Sequence, residues 1–191
     1  TLVRWSLVDF TTSQIMIWRF AIAFISAEVL IILFKKDFYK KTISDFKLSI
    51  FPGIFLGITI LLQNHGLNYT TATNSAFITT IYVVMIPFMG YFLYKFKILI
   101  SDVILAITAL LGMVLLLHVF GGNSIGLKQF NFGDLLTFFC AMTSAVHIIL
   151  IGVYAKKCKS PFRFNTFQTF WALITTLPFF FYESYHQNIN L

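Results

Sequence analysis

The chain has 191 residues, of which 58% are hydrophobic and only 11% charged, and its mean hydropathy of +0.83 excludes an ordinary water-soluble domain, which carries roughly 25% charged residues. The net charge of +7 does not point to nucleic acid, because the basic residues sit in short clusters between apolar runs and act as topology signals. The two cysteines, Cys140 and Cys158, provide neither a disulfide framework nor a metal spacing.

Six segments carry the ~20 mostly apolar residues a transmembrane helix needs: 12–34, 49–69, 73–94, 101–120, 132–154 and 164–182. They lack the strict alternation of barrel strands, and only a helix satisfies its own backbone in hydrocarbon. The fold class is therefore an all-α membrane protein with six transmembrane helices. Lys35, Lys36, Lys40, Lys41 and Lys47 fill the first loop, Lys95 and Lys97 the third, and Lys156, Lys157, Lys159 and Arg163 the fifth, whereas the second and fourth hold only Lys128. Cytoplasmic loops retain Lys and Arg, so the first helix runs from outside to inside and the tail Glu183–Leu191 lies outside. An outside start without a signal peptide implies an earlier span before Thr1.

In the first span, Arg19 and Glu28 are nine residues apart, about 180° around a helix, so they do not pair with each other. Each needs a partner on another helix, and Arg19 is suited to an anionic substrate group. The second span carries Gln63, Asn64 and His65 in succession; these point in three directions and do not all line one cavity. His65 is suited to proton coupling, although packing is the commoner role of a membrane histidine. In the third span Ser75, Thr79 and Tyr82 follow an i, i+4, i+7 spacing that puts three hydroxyls on one face. The fifth carries a comparable stripe of Gly133, Thr137, Cys140, Ser144 and His147. Polar groups inside a membrane cost free energy unless they pair or face a cavity. Both stripes suit the walls of a polar pathway, and both equally suit close helix packing. Pro87 and Pro178 should bend the third and sixth spans.

No catalytic motif is present: no HExxH, GxSxG or P-loop occurs, so an enzyme is not expected, and neither is a metal or cofactor. Phe10, Thr12 and Gln14 at the head of the first span recur as Phe164, Thr166 and Gln168 at the head of the sixth, and Glu28 has a near counterpart in Glu183. Related segments five helices apart run in opposite senses, which is the inverted-repeat signature of carriers.

The stretch Leu67-Asn68-Tyr69-Thr70-Thr71-Ala72-Thr73-Asn74-Ser75-Ala76-Phe77 leading to Pro87, with Arg19, Gly112 and Gly133-Asp134, resembles the EamA-type carriers of the drug/metabolite transporter superfamily. The resemblance implies ten helices in two inverted five-helix repeats, of which this chain supplies helices two to seven. Residues 1–120 then form the rest of a first repeat, 121–131 an outer loop, and 132–191 the start of a second repeat. It further implies a multi-pass protein of a bacterial plasma (inner) membrane whose partners are a small-molecule substrate and the lipid bilayer. The family's acidic-then-basic pair after its fourth helix is replaced here by Tyr94-Lys95-Phe96-Lys97. The expected function is secondary transport of small metabolites, such as amino acids, nucleotide-like metabolites or drugs, by alternating access. The expected substrate residues are Arg19, Gln63, Asn64, Ser75, Thr79, Tyr82, Thr137, Ser144 and His147. The alternative is a membrane scaffold whose polar stripes only pack.

Overall fold

The computed structural model describes residues 11–34, 42–120 and 131–189, and every regular element among them is helical. Helix α1 is Thr12–Phe34, α2 is the short Thr42–Leu48, and α3 is Ile50–Tyr69. α4 (Ala72–Thr80) and α5 (Tyr82–Tyr94) are nearly continuous, followed by α6 (Ile100–Phe120) and α7 (Phe132–Tyr154). A 3₁₀ turn, Ala155–Lys157, leads into the long α8, Pro161–Ile189. The expected segments 12–34 and 132–154 coincide with α1 and α7, and 49–69 with α3 within one residue. Lys35, Lys36, Lys40, Lys41, Phe10 and nearly all of the expected loop 121–131 lie outside the described residues.

Among the described residues, four helical stretches are long and apolar enough to cross a membrane: Thr12–Leu33, Ile50–Tyr69, Ala72–Tyr94 and Phe132–Lys157. Ile100–Gly112, the first part of α6, is a shorter apolar stretch. α8 has the length, but Asn165, Thr166, Gln168 and Thr169 dilute its hydropathy, Thr166 and Gln168 on the buried side and Asn165 on the exposed one.

α3 is the centre of the assembly. It packs along α7 on one side and α8 on the other, while α1 lies mainly on α8 and α4, α5 and α6 lie beyond α7. Small residues permit this. A Cβ on Gly53 would stand 2.4 Å from the Trp171 Cβ, and one on Gly57 2.9 Å from the Thr175 Cβ, so this Gly-x-x-x-Gly pair lets α3 and α8 approach backbone to backbone. Met16, Phe20, Leu61 and Ala172 form a buried cluster where α1, α3 and α8 meet.

Capping explains several ends. Asn131 and Asp134 form a reciprocal capping box at the start of α7, satisfying two otherwise unpaired donors. The start of α8 is capped from another element: buried Asp45 of α2 accepts the backbone N–H groups of Lys159 (2.9 Å) and Ser160 (3.0 Å). Trp171 donates to the Phe46 carbonyl at 3.2 Å, and Phe46 packs edge-on against Phe167. So short a helix is stable because α8 holds it.

The third expected span runs on from α4 into α5 through Ile81, which keeps helical backbone angles (φ −57°, ψ −24°) while the ladder tightens locally, the Ile81 N–H reaching the Ile78 carbonyl at 3.1 Å. Thr79 and Thr80 donate their hydroxyls back to the Ser75 and Ala76 carbonyls (2.7 and 2.8 Å), a bond that bends helices. Pro87 follows within two turns inside α5 and weakens the ladder behind it. Pro178 lies inside the continuous helix α8 and introduces no break in it.

Candidate functional site

Where α4 meets α7, three hydroxyl and thiol side chains converge. Cys140 is fully buried, its Sγ lies 4.0 Å from Ser144 Oγ, and the Thr79 side chain faces it across the helix interface. Thr79 is in turn anchored to the Ser75 carbonyl. The i, i+4 spacings on both helices bring these groups together. They are soft, uncharged donors and acceptors that can exchange partners with a solute at little electrostatic cost.

Beside them, Thr59 of α3 donates to Thr143 of α7 at 2.9 Å, and Thr143 reaches the Cys140 carbonyl at 3.0 Å. Nearer the opposite end, His147 Nδ1 lies 2.9 Å from the Pro52 carbonyl. A carbonyl only accepts, so Nδ1 carries a proton there and Nε2 remains for another partner. Tyr82, half-buried, stands at the start of α5 just after Ile81.

The other expected residues divide. Thr137 is fully buried and donates to the Gly133 carbonyl at 2.8 Å. A Cβ on Gly66 would stand 2.8 Å from its hydroxyl oxygen, so Thr137 belongs to the closest α3–α7 contact. Asn64 is buried, and its Nδ2 has no hydrogen-bond partner among the described residues. Gln63 is half-buried on the same helix. Arg19 stands apart: it is exposed on α1, whose neighbours are α8 and α3, and the structure does not unite it with the Cys140 group.

Three polar contacts were not legible as pairs in the sequence. Glu28 finds its partner in Arg163, whose Nη1 lies 2.6 and 2.8 Å from the two carboxylate oxygens, and Arg163 also stacks over the Phe167 ring at 4.4 Å. Glu183 meets His65 at 3.3 Å and accepts the Ser13 backbone N–H at 3.1 Å. Thr70 donates its hydroxyl to buried Asp134. Loop composition and helical spacing mark such residues as costly when unpaired but carry no information on which distant helix supplies the partner. No group of three or more His, Cys, Asp or Glu residues able to hold a metal ion occurs among the described residues.

Residues 1–118 match the EamA-like transporter family. The chain is similar to an "uncharacterized transporter" of Archaeoglobus fulgidus, with 35% identity over 76% of this chain and 44% of that protein. It is also similar to the "uncharacterized transporter YetK" of Bacillus subtilis, with 27% identity over 87% of this chain and 50% of that protein. The chain thus spans about half the length of the curated relatives it matches. No solved structure matches it.

Proposed function

Because the chain belongs to the EamA-like transporter family, we propose that it forms part of a secondary carrier that moves small metabolites across a membrane by alternating access. Six spans, corresponding to helices two to seven of a ten-helix inverted repeat, are the framework of this reading. Residues 1–120 complete a first repeat, 121–131 connect the repeats on the outer side, and 132–191 open the second. The proposed location is a bacterial plasma membrane, in keeping with bacterial and archaeal relatives.

The observation that carries the proposal is the convergence of Thr79, Cys140 and Ser144 between α4 and α7, beside the locally tightened ladder at Ile81. Polar groups inside a membrane span cost free energy unless they pair or face a cavity, and a solute site is one way to use them. Ser75, Thr79, Tyr82, Ser144 and His147 form the pathway in this reading, with Gln63 and Asn64 contributed by α3 and Arg19 by a separate face. Amino acids, nucleotide-like metabolites and amphipathic drugs are the substrate classes such uncharged donors and acceptors serve.

A packing role has its own support at Thr137, wedged against Gly66, and a scaffold would use every polar residue in that manner. An uptake screen separates the two. With the full-length carrier in proteoliposomes, radiolabelled amino acids, nucleosides and a cationic dye are offered, and the Thr79→Val and Ser144→Ala variants are compared at equal membrane content. A carrier loses uptake of one class by roughly tenfold, the effect of about 1.4 kcal/mol. Uptake of none of these solutes by the unaltered protein favours the scaffold.

A further inference from the structure

The ends of α1, α3 and α8 that loop charges assign to the outer face meet at one carboxylate. Glu183 of α8 faces His65 of α3 at 3.3 Å and accepts the Ser13 backbone N–H in the first turn of α1. Alongside, Asn68 of α3 donates to the Thr12 hydroxyl at 3.3 Å. At the inner ends, Glu28 of α1 is bound by Arg163 in the first turn of α8. The two contacts are reciprocal: each of the antiparallel helices α1 and α8 extends a carboxylate from its last third to the first turn of the other. Their chemistry differs, because guanidinium stays charged at every physiological pH, whereas imidazole changes charge between about pH 5 and 8.

We infer that the Glu183–His65 pair is a proton-operated latch: protonation of His65 from the outer face holds the outer ends of α1, α3 and α8 together, and loss of that proton releases them. The inner Glu28–Arg163 contact has no such switch. The inference rests on the carrier reading only in assuming that the outer end opens. Burial of the Glu183 carboxyl opposes its ionisation, but hydrogen bonds from His65, Ser13 and Thr11 outweigh that effect and bring its pKa below the ordinary value. Glu183 therefore remains an anion over the range in which an imidazole gains its proton. Among the described residues, the other charged or titratable groups at this end are Asp134 on α7, Tyr69 on α3, and Tyr182 and Tyr185 on α8. Asp134 is held by Thr70 and the Asn131 backbone. α4 contributes none, and α1 only Arg19, nearly two turns further along on its exposed face. Carboxylates, phenols and guanidinium groups ordinarily keep one charge state from pH 5.5 to 8.

The test uses the full-length protein in nanodiscs, with Cys140→Ala and Cys158→Ser as background and spin labels at Tyr69→Cys and Phe181→Cys. Pulsed electron resonance should show the long-distance population falling by roughly five- to tenfold between pH 8 and pH 5.5, the size of a modest site-to-site coupling. His65→Gln and Glu183→Gln should abolish that change, and His65→Arg should hold the short distance at both pH values, which a merely structural histidine would not produce. A distribution indifferent to pH, or one that shifts equally in His65→Gln, overturns the latch. The readout needs no substrate, so a latch that responds in a protein that takes up no solute would count against the carrier alone.

Discussion

Arg163 is buried with its charge, and the cost of its desolvation is offset by the contact of its Nη1 with both Glu28 carboxylate oxygens and by the Phe167 ring. Removing one member of such a pair leaves the other uncompensated, a loss of about 3–5 kcal/mol, whereas replacing both by apolar residues is often neutral. Glu28→Leu should therefore lower the thermal unfolding temperature in detergent markedly, and Glu28→Leu with Arg163→Leu should recover most of the loss. Glu183 gives a second expectation. Its pKa is lowered in the folded state, so its stabilisation is complete above the ordinary carboxylate value and is lost as pH falls through the lower native one. Unfolding followed from pH 6 down to pH 3 should show a loss of stability that is smaller in Glu183→Gln. The sequence marked Glu28 as needing a partner on another helix, and the structure supplies one 135 residues away. Arg19 kept its expected isolation from Glu28 but did not join the polar group at Cys140.

Helix by helix, legibility follows the origin of the stabilising contact. The limits of α7 are marked locally, by the Asn131–Asp134 capping box and an unbroken apolar run, and they coincide with the expected segment. α2 is not marked locally, because Asp45, Phe46 and their partners on α8 hold it. The tightened ladder at Ile81 is equally hidden, since Thr80, Ile81 and Tyr82 carry no local signal for it. Glycines separate close approach from open space. A Cβ on Gly133 would lie 2.7 Å from the Gly66 carbonyl oxygen and the Thr70 nitrogen, whereas among the described residues nothing lies within 4 Å of one on Gly112. Gly133→Ala should consequently destabilise by about 2 kcal/mol or more, the scale of an overpacked interior. Gly112→Ala should stabilise by up to about 1 kcal/mol through helix propensity. Chemical denaturation of the two variants in mixed micelles measures the contrast directly.

For the molecule as a whole, loop charge supplies an orientation that packing alone does not. Ser44 is exposed on α2 and Tyr69 at the far end of α3, so they report on opposite faces. With the native cysteines replaced, an impermeant maleimide added to right-side-out vesicles should react with Tyr69→Cys and reach Ser44→Cys only after permeabilisation. Reaction of Ser44→Cys in intact vesicles would reverse the topology. Which helices neighbour one another was not legible, because the arrangement of α3 between α7 and α8 depends on small residues spread across three helices rather than on a local period.

That arrangement has a consequence for biosynthesis. α3 leaves the ribosome with Thr59 and Asn64 already in it, yet the helices that cover it are made later, with roughly 90 residues between the end of α3 and the start of α8. At ~5–20 residues per second, these polar groups wait several seconds in the membrane without their final neighbours. A nascent chain stalled before Pro161 is accordingly a natural target for insertion chaperones and for membrane proteases.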